Sequence, residues 1–339
     1  MSKKLISLVL IIAMLVGALS FAFAEGQKEA KGDQTINLRL GHPYDPSHPW
    51  QKGSELAAQR AKELSNGRIN ITVYPSSQLG TEAELQEQML VGSIDIVVSG
   101  AGQIGTIYSP FNVLEMPYTF KNNQHVIALG KSSVGQELFE GYRKKFGGRI
   151  IGPSSYGIRQ MATDRAVYSP KDLAGFKLRV PEQTVPLEYG KAMGANPTPT
   201  SLAEAYMALQ QGVVNGLENP LSAIWAQKYQ EVTSHIILTS HVTNVCAYVM
   251  NDKKFLSLSK ADQDIILQAF DDASKLIVEI LDREDKELVA QFKAAGLTVI
   301  EPDVDAFRAA TAYMPEKFAY WWEKDFGSDL HARIRDLQF

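Results

Sequence analysis

The strongest constraint on this fold is a run of alternating strand and helix signals near the start of the chain. Ile36, Leu38 and Leu40 alternate with polar neighbours and stop at Gly41-His42-Pro43, which predicts a strand. A helix is expected from about Pro49 to Leu64, with Trp50, Gly53, Ala57, Ala61 and Leu64 along one face. Asn66-Gly67 turns the chain into a second strand at 69–73. Thr81-Glu82-Ala83-Glu84 has the form of a helix cap and leads Leu85 and Met89 inward. After Gly92, Ile94-Asp95-Ile96-Val97-Val98 is nearly all apolar, as strands buried in a parallel sheet are. Strand, helix, strand, helix, strand within about sixty residues specifies a doubly wound α/β unit.

The same pattern returns later in the chain. Strands are expected at 149–152 and 176–180, and a helix within 198–212 carries Leu202, Ala205, Tyr206 and Leu209 on one face. Ser259 caps a helix that can run to Ala295, roughly 55 Å at 1.5 Å per residue and too long for one small domain. No long Gly/Ser linker divides the chain. The expected fold is therefore α/β, with two interleaved doubly wound lobes, a ligand cleft between them and the long helix bracing both. Lobe I takes residues 35–156 and about 245–284, and lobe II takes 157–244 and about 285–339.

Residues 1–24 read as a secretion signal rather than as part of the fold. Lys3 and Lys4 precede an apolar run from Leu5 to Leu19, and Ala22-Phe23-Ala24 forms a small-x-small cleavage site. A polar leader, 25–34, follows. Loss of the two lysines takes the formal charge from −4 to −6, which argues against nucleic acid or an anionic membrane as partner. The single cysteine, Cys246, lies in an apolar run and reads as a buried small hydrophobe.

Arg179 is the main chemical candidate. Phe176, Leu178 and Val180 take one face of a strand, Lys177 and Arg179 take the other, and Pro181 ends it. Ser169-Pro170-Lys171-Asp172 caps the approach and Gly175 stops the short helix. A guanidinium at a carboxyl strand end lies where α/β sheets bind ligands, and it suits a carboxylate. Tyr156-Gly157-Ile158-Arg159-Gln160 places a second arginine just past a strand, and Asn219 falls in a short polar turn. Together they form a candidate carboxylate grip, with a surface salt bridge the equal alternative for Arg159.

Other motifs are less telling. Gly100-Ala101-Gly102-Gln103-Ile104-Gly105 fits G-x-G-x-x-G after a strand, but Pro110 prevents a long helix and no ribose-binding acid follows at the expected distance. These glycines instead let a loop approach a ligand or the other lobe. His42-x-x-Asp45-x-x-His48 serves capping or ligand contact better than metal. No Gly-x-Ser-x-Gly, HExxH or GxxxxGK[ST] occurs.

Several spaced motifs then place the chain close to one family. Tyr74-Pro75-Ser76-Ser77-Gln78-Leu79-Gly80, Gly157-Ile158-Arg159-Gln160, Lys177-x-Arg179-Val180-Pro181, Gly194-Ala195-Asn196-Pro197-Thr198-Pro199 and Glu218-Asn219-Pro220 occur in order. The chain resembles a solute receptor of the tripartite ATP-independent periplasmic (TRAP) transporters. The resemblance implies a two-lobed periplasmic protein, without cofactor or catalysis, that closes on a small organic acid and delivers it to membrane permease subunits as a monomer. It also implies that Arg179 grips the carboxylate, with Arg159 and Asn219 matching further contacts of the sialic-acid-binding members. Those members have a glutamate where Gly100 stands and an asparagine where Glu182 stands, so a uronate or other sugar acid is favoured over sialate or a C4 dicarboxylate. His42, Gly100, Gln103, Tyr156 and His241 complete the expected ligand contacts. A dinucleotide-dependent enzyme acting on a carboxylate, and a sensor subunit sharing the same cleft, are the alternatives.

Overall fold

The computed structural model describes residues 35–339. The expected signal and polar leader lie outside the described residues. Nine strands form one sheet: β1 (Ile36–Gly41), β2 (Ile69–Tyr74), β3 (Ile96–Gly100), β4 (Gly148–Thr163), β5 (Lys177–Val180), β6 (Asn196–Pro199), β7 (Gly216–Pro220), β8 (His235–Asn251) and β9 (Thr298–Ile300). Their order is β2-β1-β3-β8-β4-β7-β5-β6, and β9 adds to β8.

Two parallel groups flank a long antiparallel pair. β1 pairs with β3 in parallel, and β5 lies parallel to both β6 and β7. Between them β4 and β8, of 16 and 17 residues, run antiparallel and belong to both groups. The register of this pair shifts three times, one shift falling between Ser155 and Gly157. Gly157 has φ +116°, a backbone that other residues adopt only under strain. Such a bulge bends a strand and re-aims its side chains, so Tyr156 and Arg159, three positions apart, both reach the cleft described below.

The helix Lys260–Ala294 is continuous over 35 residues, about 52 Å. It packs against the helix Pro49–Leu64 beside the first group and against Leu221–Ala226 and β9 beside the second. Ser259 accepts from the Asp262 N–H to cap it, and Thr81 with Glu84 forms a full capping box at Glu82–Leu90. Among the described residues no helix is long and apolar enough to cross a membrane.

Three local expectations are corrected. The strand expected at 149–152 continues to Thr163, because β8 offers it a partner along its whole length; Arg159 is therefore inside a strand and not just past one. Asn219 lies on β7, a strand with every residue buried, since β4 and β5 cover its two edges. The helix expected within 198–212 is present over Ala205–Gln210, but Leu202, expected on its face, lies in the turn before it.

Candidate functional site

The carboxyl ends of both parallel groups open onto one cleft of about 840 Å³, counting its mouth. Tyr44 follows β1, and Gly100 to Gln103 follow β3. From the other group come Arg179, Glu182 and Gln183 of β5 and its turn, Thr200 after β6 and Asn219 of β7. Ligands of α/β sheets bind at such strand ends, where backbone groups and loop side chains are free to face them.

Arg179 is only 2% exposed. Its Nε and Nη2 donate to the Thr200 carbonyl at 3.1 and 2.5 Å, which fixes the planar head. No carboxylate pairs with it among the described residues, and burial lowers the pKa of its guanidinium. Arginine remains charged in proteins even so. Glu82 and Glu218 act on it from a distance, but neither is hydrogen-bonded to it.

Arg159, 4% exposed, is arranged differently. Its Nε and Nη2 donate to the two carboxylate oxygens of Glu218, and Nη2 also meets the Glu218 carbonyl at 2.8 Å. Nη1 donates to Asn244 Oδ1 at 3.0 Å. Burial would raise the Glu218 carboxyl, but Arg159 and the His241 hydrogen bond outweigh it and hold the group at about 2. The alternative reading of Arg159 as a salt-bridge residue holds in part, with the bridge buried and not at the surface.

The remaining candidates divide into those that line the cleft and those that do not. Asn219 is buried in the wall, and its Nδ2 has no hydrogen-bond partner among the described residues. Tyr156 lines the cleft and packs against Tyr44 at 5.1 Å and His48 at 5.3 Å. Gly100 and Gln103 line it too, and Gln103 Oε1 accepts from Gln183 Nε2 at 3.4 Å. A Cβ on Gly102 would lie 2.4 Å from Gln183 Oε1, so a larger residue there would make this side-chain end shift. Glu182 is exposed at the rim.

His42 and His241 are corrected, since neither lines the cleft. Burial pushes His42 down to about 4, so it is neutral, and its ring nitrogens engage Gln51 Oε1 at 2.8 Å and the Tyr44 N–H at 3.2 Å. His241, also lowered by burial, stands behind the wall between Glu218 Oε2 at 3.2 Å and Thr239 Oγ1 at 2.8 Å. Both histidines are occupied by the protein itself. His48 accepts from the Trp50 N–H as a helix cap, and among the described residues no group of three or more His, Cys, Asp or Glu could hold a metal ion.

Sequence reasoning missed the acids of the wall. Glu82 accepts from the Gly100 N–H at 2.6 Å and lies deep in the protein while keeping some surface open to the cleft. Burial raises it, opposed by that hydrogen bond and by Arg159 and Arg179. Glu115 is buried in the same wall. Its signal was available: a lone acid within Phe111-Asn112-Val113-Leu114-Glu115-Met116 has no solvated reason to be there. Cys246, read as a buried hydrophobe, is buried but forms part of the cleft lining, with Tyr44 Oη 3.5 Å from its Sγ.

Two parallel strand groups face one cleft, and the guanidinium inside it, hydrogen-bonded to Thr200 and to no carboxylate among the described residues, suits a small anion. Bacterial extracellular solute-binding protein family 7 matches residues 40–320, and the chain belongs to that family. It is 30% identical over 289 residues to the sialic acid-binding periplasmic protein of Vibrio cholerae, covering 85% of this chain and 90% of the relative. A TRAP periplasmic solute-binding protein of Actinobacillus succinogenes 130Z, solved with bound L-galactonate, has a TM-score of 0.82 and 29% identity over 89% of this chain and 98% of its own. Another from Polaromonas sp. JS666, bound to D-erythronate, has a TM-score of 0.84 and 26% identity over 90% and 99%. The family and these neighbours are periplasmic ligand-binding receptors and not enzymes.

Proposed function

We propose that this receptor captures a hydroxylated monocarboxylate, an aldonate or a uronate, and presents it to the permease subunits of a TRAP transporter. The observation that carries the reading is Arg179: a buried, oriented guanidinium that pairs with no carboxylate among the described residues. A ligand carboxylate supplies the missing charge through parallel hydrogen bonds. The unpartnered Asn219 amide supplies a further donor in the same wall. Glu82 and Glu182 accept hydrogen bonds from sugar hydroxyls and oppose a second carboxylate. The two similar structures hold acids of this class, D-erythronate and L-galactonate.

Capture closes the lobes formed by 35–156 with about 245–284 and by 157–244 with about 285–339, the long strands β4 and β8 serving as the crossings. The protein acts as a monomer in the periplasm after removal of residues 1–24. A thermal-shift screen over aldonates, uronates, sialate, keto acids and C4 dicarboxylates tests the ligand class. A true ligand at 100 times its Kd stabilises by about 2.7 kcal/mol. Stronger stabilisation by succinate or malate than by any aldonate or uronate overturns the assignment.

A further inference from the structure

One acid of the cleft wall has no part in the carboxylate grip. Glu115 ends the turn Ser109–Glu115 and is 3% exposed. It accepts two hydrogen bonds, from the Gly102 N–H at 3.2 Å and from Asn244 Nδ2 at 2.5 Å, and both fall on Oε1. Oε2 takes none among the described residues, although Glu115 lines the cleft. One carboxyl oxygen is thus anchored by the protein and the other is left for whatever enters.

The cation facing this carboxyl is itself paired. Arg159 of β4 is already neutralised by Glu218, and its remaining Nη1 donates to Asn244, whose amide stands between the guanidinium and Glu115. The other ionisable groups facing Glu115 are Glu218 of β7, Tyr189 of the helix Thr184–Ala192 and Cys246 of β8. Burial keeps the tyrosine and the cysteine neutral by pushing both well above their ordinary values. His241, beyond Glu218, is lowered by burial and neutral as well. A ligand carboxylate bound to Arg179 adds one more negative charge to this cleft.

We propose that Glu115 contacts the ligand and enters the bound complex protonated, donating a hydrogen bond from Oε2 to a ligand oxygen, so that capture of the acid takes up a proton. The inference rests on the sugar-acid reading of the cleft. An ionised Glu115 only accepts hydrogen bonds and repels the incoming anion, whereas the protonated form donates and does not repel. Burial, opposed by Arg159 and the Gly102 N–H, raises its carboxyl to about 7. The arriving anion raises it further. Below this value Glu115 is protonated before and after binding, and affinity is flat with pH. Above it, binding draws a proton from solvent, and affinity falls by up to about tenfold per pH unit.

Titration calorimetry with L-galactonate, D-erythronate and sialate, between about pH 6 and 8.5 and in two buffers of different ionisation enthalpy, tests this. The expected result is flat affinity near pH 6, a falling affinity above pH 7, and a buffer-dependent enthalpy that reports proton uptake at pH 8. Glu115→Gln keeps a donor at the same place, and it is expected to bind near pH 6 about as the wild type does and to lose the pH slope. Glu82→Gln removes another acid of the lining and is expected to keep the slope. A buffer-independent enthalpy with a flat wild-type profile overturns the inference while leaving the sugar-acid reading intact, as does a slope that survives in Glu115→Gln. Failure of all three acids to bind at pH 6 overturns the sugar-acid reading and this inference with it.

Discussion

The wall built on β4 and β7 and the rim at the end of β5 each bring one buried arginine to the cleft, and the two are opposites in charge balance. Arg159 meets both oxygens of Glu218, with His241 and Asn244 completing the cluster, so its charge is compensated within the protein. Among the described residues Arg179 donates only to Thr200 oxygens and pairs with no carboxylate. A buried cation that is paired organises the wall, and one left unpaired is suited to an anion. Residue type alone does not separate these roles; the presence of a carboxylate within reach does.

The sharpest way to break this comparison is to remove the internal partner. Glu218→Ala leaves Arg159 buried and uncompensated, which is expected to cost about 3–5 kcal/mol of stability, measured by urea unfolding. The same acid sets a pH window. Its carboxyl is depressed from 4.5 to about 2, so its contribution is complete above about pH 4.5 and is lost as pH falls through 2. The wild type should lose stability across this range, and Glu218→Ala should lack this contribution. Stability in the variant equal to wild type at neutral pH would contradict the role given to the pair.

At the rim the expected effect moves from stability to affinity. Arg179→Ala should weaken binding by about 2–5 kcal/mol, because a desolvated ligand carboxylate is left without its partner. Arg179→Lys should be nearly as harmful, since an ammonium cannot reproduce the planar fork. Calorimetric affinity close to wild type in either variant removes Arg179 from the grip. Folding stability should fall less in Arg179→Ala than in Glu218→Ala, because relieving an unpaired buried charge offsets part of the lost packing.

Glu182 gives the smallest effect. Its side chain is exposed at the rim, so solvent screens its repulsion of a second carboxylate. Glu182→Gln is expected to narrow the preference for an aldonate over malate by no more than about 1 kcal/mol. A larger change in competition binding would place this carboxylate inside the bound, desolvated cleft.

Much of the scaffold was legible from local pattern. The helix Pro49–Leu64, the caps at Thr81 and Ser259 and the strand carrying Arg179 lie where period, cap chemistry and proline put them. Boundaries drifted where the neighbours were remote. β3 runs over Ile96–Gly100, two residues later than the apolar run suggested, because its register follows β8. His42 and His241 were drawn toward the ligand by residue type, yet Gln51 and Glu218 hold them behind the wall.

By itself, the sequence determined the alternation of strands and helices, the single long helix and the presence of an arginine at the carboxyl end of β5. These follow from periodicity, caps and chain stiffness within a few residues, so no distant partner is needed to read them. Only the tertiary structure decided which arginine is free. Glu218 reaches Arg159 across 59 residues of chain, Asn244 reaches Glu115 across 129, and Arg179 hydrogen-bonds to Thr200 and to no acid among the described residues. Charge compensation in a buried wall depends on distances of a few ångströms between segments far apart in the chain, and those distances exist only once β4, β7 and β8 lie side by side.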